Sequence, residues 1–335
     1  MDNVCYIYDM MVLTEFNINN FDTVQHPYSK TIRIMLSKRA FKYKEKSELI
    51  ENKISKIFSN KKEKVFFYKT GIEMKIDKDN ILIYYDKKND FPERNELLYR
   101  ISMGNGLISL LRFNNNFVIH GTAIYNKNKV FALIGKSGLG KSTIASYLVK
   151  NHNYGLISDD KIVFNNNFEI LAGSKVVRLW EDSFKNIINS IDTNCVYSSL
   201  LGENKKYINL EIYNHSDWVK EKSFKYNFII LENNELSDFP IIEKISKSEL
   251  FCYFLKNVYD YDTLTKSELN KEIIQIKELI DKNKINGYKL TYKYDYSQLD
   301  KIFKFINEVG DYQWNWIVQV LKIYIHILRI INIKL

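Results

Sequence analysis

A chain of 335 residues is long for one hydrophobic core and points to about two domains. With 45% hydrophobic and 14% aromatic residues it can bury a sizeable core and is not a disordered chain, and its three cysteines, Cys5, Cys195 and Cys252, are too scattered to indicate a disulfide framework or a zinc cluster. The net charge of +9 comes from Lys and Arg interspersed with Asp and Glu throughout, which favours an anionic ligand over a nucleic-acid surface. Residues 6–16 are rich in β-formers. Residues 47–58 place Leu49, Ile50, Ile54, Ile57 and Phe58 in a pattern that suits either a helix or a strand with a charged loop. Short β-prone runs at 65–67, 72–76 and 81–85, divided by Gly71 and the polar residues 77–80, read as a meander. After Pro92, residues 93–112 carry Leu97, Leu98, Ile101, Leu107, Ile108, Leu110 and Leu111 at near-helical spacing, interrupted by Gly104 and Gly106. A boundary is expected just beyond, separating a β-rich unit of residues 1–113 from a second unit of residues 114–335.

From residue 117 the pattern sharpens. Residues 117–125 and 130–134 flank a polar turn and predict a β-hairpin, which runs directly into A-L-I-G-K-S-G-L-G-K-S-T at 132–143. Gly135, Gly140, Lys141 and Ser142 fit the phosphate-binding loop of Walker A type, and Ile144, Leu148 and Val149 behind it lie at helical spacing, so the loop joins a strand to a helix N-terminus. Such a loop turns its backbone N–H groups toward a triphosphate, and the unpaired N–H groups of the first helical turn add partial positive charge. The expected nucleotide-binding set is therefore Gly135, Lys136, Ser137, Gly138, Leu139, Gly140, Lys141, Ser142 and Thr143. Lys141 is placed on the β/γ-phosphates and Ser142 on Mg²⁺.

Residues 154–158 and 161–164 predict two more strands, with a third at 168–171, and Asp159-Asp160 falls between the first two. Hairpins on both sides of the loop point to an α/β protein with a mixed sheet rather than a doubly wound one. An Asp pair between strands is most often a polar turn. Beside a phosphate loop, one carboxylate can hold Mg²⁺ and the other accept the proton of an attacking hydroxyl. His120 alone would pass for a core histidine, and its relation to the loop is what singles it out.

H-G-T-A-I at 120–124, G-K-S-G-L-G-K-S-T at 135–143 and L-I-S-D-D at 156–160 together resemble the C-terminal catalytic domain of HPr kinase/phosphorylase, with the same spacing from His120 to Lys141 and from Lys141 to Asp159. V-R-L-W at 177–180, N-K-K-Y-I-N-L at 204–210 and F-I-I-L-E at 228–232 resemble a shorter branch of such kinases encoded with peptide-modifying enzymes, including the lasso-peptide kinases. The resemblance implies a fold like the nucleotide domain of phosphoenolpyruvate carboxykinase and ATP- and Mg²⁺-dependent transfer to a serine hydroxyl. By position His120, Lys141 and Asp159 match the family's catalytic residues, with Asp159 as proton acceptor, and Ser142 matches its metal-binding serine; Asp160 is the expected second metal ligand. Thr143 stands where those kinases usually have Glu, and the acidic metal ligand that follows their Asp pair is not evident; Glu181, Glu203 and Glu211 are its candidates. These departures speak against a role on HPr itself.

Farther on, residues 265–283, with Leu269, Ile273, Ile276 and Ile280, and residues 299–306 predict helices. Lys205 and Lys206 either meet phosphate or an acidic peptide or form a solvated turn. The apolar residues 317–335 are interrupted by Lys322, His326, Arg329 and Lys334, so a packed helix or a partner-docking surface is expected before a membrane contact. The expectation is a cytoplasmic kinase acting on a serine of a peptide or small protein, such as a ribosomal peptide precursor, with no nucleic-acid partner and with self-association left open. The alternatives are a kinase of a free small molecule and a non-catalytic module that ATP switches.

Overall fold

The computed structural model describes residues 3–15, 28–43, 47–86, 94–188, 196–198, 205–210, 225–236, 239–282 and 285–309. The N-terminal part is an eight-stranded mixed sheet built from β1 (Asn3–Ile7), β2 (Met10–Thr14), β3 (Lys30–Leu36), β4 (Glu48–Glu51), β5 (Ser55–Ser59), β6 (Lys64–Tyr68), β7 (Glu73–Ile76) and β8 (Asn80–Tyr84), in the order β1-β2-β3-β8-β7-β6-β5-β4. Residues 47–58 are thus strands. The alternation of β5, with Ile57 inward and the neighbouring Lys56 exposed, has the period of a half-buried strand, and its pairing to β6 fixes that choice. The run from β6 to β8 is the expected antiparallel meander, while β3 pairs in parallel with both β2 and β8.

The helical stretch that follows is α1 (Arg94–Ile101), a π-helical turn at Ser102–Gly106, and α2 (Leu107–Phe113). Gly104 leaves helical geometry there, with φ −85° and ψ −109°. The inner face of this stretch, through Leu98, Ile101, Leu107, Ile108, Leu110 and Leu111, shares one buried core with the sheet residues Ile32, Ile34, Phe66, Met74 and Ile83. Val118, Val163 and Leu171, which follow the expected boundary, belong to that same core.

The second sheet contains β9 (Phe117–Asn126), β10 (Lys129–Ile134), β11 (Gly155–Ser158), β12 (Lys161–Phe164), β16 (Lys225–Asn233), β17 (Ile241–Lys244) and β18 (Ile285–Tyr292). Between β12 and β16 lie β13 (Val176–Trp180), β14 (Val196–Ser198) and β15 (Lys205–Asn209), which form a small antiparallel sheet. Central strands β10, β16 and β18 run parallel, and their residues Ala132, Leu133, Ile134, Phe228, Ile229 and Ile230 form continuous apolar runs, as strands buried on both faces do. The edges are antiparallel, so this is a mixed α/β architecture, and among the described residues no sheet closes into a barrel. The expected strand at 168–171 is reduced to one bridge between Phe164 and Ile170, because the backbone turns at Phe168 through φ 61°.

Helix α3 (Lys141–His152) follows the loop, and α4 (Glu181–Ile187), α5 (Lys247–Lys256), α6 (Lys266–Lys282) and α7 (Leu299–Glu308) complete the described elements. Apolar residues of α3, Ile144, Ala145, Leu148 and Val149, pack under the sheet with Ile302 and Ile306 of α7. On the other face Leu250 and Phe254 of α5 and Ile276 and Leu279 of α6 cover Ala132 and Phe228. Among the described residues no helix is long and apolar enough to cross a membrane, and the apolar residues 317–335 lie outside that set.

Candidate functional site

The loop leaves β10 at Gly135 and enters α3 at Gly140, which adopts the left-handed conformation with φ 77°. A Cβ at Gly140 would also stand 2.8 Å from the ring of Tyr294, so both backbone and space call for glycine. No side chain caps the first turn of α3, which leaves its N–H groups directed at the loop's concavity. The buried Lys141 folds back over the loop, its Nζ donating to the carbonyl oxygens of Gly135 at 2.7 Å and Lys136 at 3.0 Å. Tyr292 clamps the loop from β18 by donating to the carbonyl of Leu139.

The Asp pair reaches the loop because of the way β9 divides its pairing. Its first half pairs with β12 and its second half with β11, both antiparallel, and residues 159–160 between those two strands bulge out of the pairing opposite residues 121–122. The bulge is tightly packed: a Cβ on Gly121 would come within 2.8 Å of both the Leu133 carbonyl and Ile162, and the Gly121 N–H donates to the Asp160 carbonyl. Asp160 takes the left-handed conformation, φ 68°, that turns the chain. Thr122 and His120, on either side of Gly121, therefore face Asp159 and Asp160 respectively.

Asp159 accepts from Thr122 Oγ1 at 2.6 Å and from Ser142 Oγ, which lies 2.8 Å from Oδ1 and 3.1 Å from Oδ2. Burial raises the pKa of its carboxyl, the Thr122 hydroxyl opposes this, and the charge of Asp160 adds to it. Asp160 is different. Its own burial would raise its pKa, but Lys161, with Nζ at 2.9 Å, and His120 together outweigh that and hold the carboxyl well below the usual range, and Tyr259 donates to it. His120 Nδ1 lies 3.0 Å from the Asp160 carbonyl and 3.4 Å from its Oδ1.

His120, Lys141, Ser142, Asp159 and Asp160 thus line one cleft of about 620 Å³, together with Ser137, Gly138, Gly140 and Thr143. Gly135, Lys136 and Leu139 do not line it; the carbonyls of Gly135 and Lys136 accept from Lys141 and that of Leu139 from Tyr292. Thr143 is buried and bonds to Ser183 of α4 at 3.2 Å, so its hydroxyl is directed at the protein. Ser142 and Asp160, expected to share a metal, are not bonded to each other, because the bulge between β11 and β12 delivers Asp159 to Ser142 and Asp160 to His120. Glu181 forms an exposed ion pair with Lys185 and does not line the cleft, while Glu203 and Glu211 lie outside the described residues.

Several cleft residues carried no local signal. Thr122 reads as an ordinary strand residue, and Tyr294 as a loop tyrosine. Arg178 and Trp180 stand in V-R-L-W, and the exposed Trp180 ring has Lys205 Nζ over it, 4.4 Å from its centre. Of the two lysines singled out, Lys205 lines the cleft and Lys206 does not. The donors facing this space from Ser142 and the two aspartates are all oxygen, which suits a hard cation such as Mg²⁺ that takes one or two carboxylates and completes its shell with phosphate and water.

No protein-family model matches this chain, and no curated protein matches it either. Its fold and site stand as those of a mixed α/β protein whose phosphate-type loop is joined to a Thr-Ser-Asp hydrogen-bond cluster.

Proposed function

We propose that this protein is an ATP- and Mg²⁺-dependent kinase that transfers the γ-phosphate to a serine hydroxyl of a peptide or small protein, resembling the HPr-kinase-like enzymes encoded with peptide-modifying pathways, in a fold like the phosphoenolpyruvate-carboxykinase nucleotide domain. One observation carries the reading: Asp159 is bonded to the loop serine Ser142 while His120 and Asp160 line the same cleft. Nucleotide binding alone needs the loop. A carboxylate beside the loop serine also serves Mg²⁺ in nucleotide binding, whereas a second carboxylate with a histidine beside it goes beyond that need, and this favours an enzyme over a regulatory module.

The loop amides, the uncapped first turn of α3 and Lys141 would hold the phosphates. Trp180 and Tyr294 offer aromatic faces at the cleft for a base. Ser142 and the carboxylates would hold Mg²⁺, which when bound neutralises phosphate charge and draws the β- and γ-oxygens together. Asp159 is the proton acceptor. Thr122 bonds to Oδ1 and the Ser142 hydroxyl lies closer to Oδ1 than to Oδ2, so lone-pair capacity remains on Oδ2 for an incoming hydroxyl. Asp160, kept anionic by Lys161, orients His120 toward the cleft.

Calorimetry with ATP and Mg²⁺ tests the nucleotide part. Lys141→Ala removes a charge-assisted contact and is expected to weaken ATP by about 1.5–3 kcal/mol, roughly 10- to 150-fold. Equal affinity in the two proteins would remove Lys141 from the phosphates, and absence of ATP binding by the wild type would end the kinase reading.

A further inference from the structure

A second cleft opens beside the Asp pair. It shares Asp159, Asp160 and Arg178 with the loop-side cleft, and its other walls come from segments as far apart in the chain as Ile7 and Tyr259. Tyr8, in the left-handed turn between β1 and β2, bonds through its hydroxyl to Ser158 at 3.3 Å, at the end of the strand that leads into Asp159. Tyr259 donates to Asp160 at 2.8 Å, and Tyr207 of β15 accepts from Arg100 of α1 at 3.1 Å. With their hydroxyls engaged in the wall, these tyrosines offer ring surface to the cleft. Met103 and Gly104, in the π-helical turn, form the remaining side. π-helical turns inside helices recur at functional sites, and here the turn carries the chain around the opening.

We infer that this cleft is the acceptor site of the proposed kinase, and that it takes a short polypeptide segment whose serine is flanked by apolar side chains. The inference rests on the kinase reading and adds the route of the acceptor and its class. Asp159 and Asp160 line both spaces, so a nucleotide held by the loop and a hydroxyl entering past Met103 would meet at the same carboxylates, where in-line displacement needs the two reacting groups together. The serine oxygen bonds to the γ-phosphorus as the bond from that phosphorus to the β,γ-bridging oxygen breaks. ADP leaves with the electron pair, and the hydroxyl proton passes to Asp159 and then to water. Ile7, Met103, Leu107, Val176 and the tyrosine rings supply wall for apolar neighbours of that serine, and Arg100, Lys161 and Arg178 line the same space.

Position 104 provides the test, because a Cβ there meets no atom within 4 Å and a larger side chain would enter the cleft. The probes are acetylated pentapeptide pools with a central serine, flanked in one pool by Leu or Phe and in another by Asp or Asn, together with free L-serine. Wild type should phosphorylate the Leu/Phe pool at least about tenfold faster than the other two, and Gly104→Leu should lower that transfer by about tenfold or more while ATP affinity stays within about twofold. A binding measurement that needs no turnover accompanies this. In Gly104→Cys, alkylation at position 104, read by peptide mapping, should slow about threefold or more with the Leu/Phe pool at millimolar concentration and remain unchanged with ATP. Undiminished transfer by Gly104→Leu, unslowed alkylation, or a preference for free serine would each overturn the inference, whereas loss of ATP binding in the wild type would instead strike the kinase reading.

Discussion

The Ser142 hydroxyl donates to Asp159 Oδ1 at 2.8 Å, across 17 residues of chain, and so ties the first turn of the loop helix to the bulge beside β9. Thr122 donates to the same oxygen at 2.6 Å. The carboxylate is thereby held at the junction of the two clefts, and a change in any of the three residues is felt by the other two.

Asp159→Asn keeps the size and removes the charge and basicity. Transfer should fall by about 10²- to 10⁴-fold, with ATP affinity nearly preserved. Asp160→Asn should cost less in rate and raise the Mg²⁺ requirement. Phosphopeptide formation by mass spectrometry across a Mg²⁺ series separates the two, and recovery of the Asp159→Asn rate by excess Mg²⁺ would exchange their roles.

Gly140→Ala combines a left-handed backbone with a Cβ 2.8 Å from the Tyr294 ring. The loop must shift, so ATP affinity should drop by more than about tenfold while the thermal midpoint changes by only a few degrees. Tyr294→Ala in the same chain removes the steric part and should restore some of the affinity; no restoration would place the whole effect in the backbone.

Lys64 of β6 is buried and reaches α6, where Nζ lies 2.9 Å from Glu268 and donates to the Thr263 carbonyl at 3.0 Å. Burial alone would raise the Glu268 pKa, but Lys64 and hydrogen bonds from Thr265 prevail and hold it below the ordinary value of 4.5. A carboxyl whose pKa is depressed by folding contributes stability above its unfolded value, and loses it as pH falls through the folded one. Glu268→Gln should therefore cost roughly 2 kcal/mol near pH 7, and the gap to wild type should close toward about pH 3. Urea unfolding at both pH values reads this, and a gap independent of pH would assign the loss to packing.

Arg112 of α2 pairs with Glu272 of α6 at 2.6 Å, and both are almost fully buried. A chain beginning at residue 114 would leave the Glu272 carboxylate buried without that partner and uncover Val118, Val163 and Leu171. The uncompensated charge alone costs about 3–5 kcal/mol. The shortened chain should show no cooperative thermal transition, and adding Glu272→Leu should recover part of it. A sharp wild-type-like transition would make residues 114–335 an independent unit.

Local chemistry made the loop legible in the sequence. The glycines, Lys141 and Ser142 act within one turn between a strand and a helix, and a pattern of that length survives in a single run of residues. The hairpin before it, the 65–85 meander and the helices around residues 94–113 and 266–282 were readable for the same reason, since period and turn chemistry are short-range. Tertiary structure decided what depends on distant segments. Residues 47–58 became strands because β6 was there to pair with them. The bond from Ser142 to Asp159 rather than Asp160 follows from the bulge opposite Gly121, which the spacing of the motifs does not encode. Thr122, Trp180, Tyr294 and Tyr259 joined the two clefts only when β9, the small sheet, β18 and the α5–α6 connection were brought together, because a side chain's role there is set by what folding places opposite it.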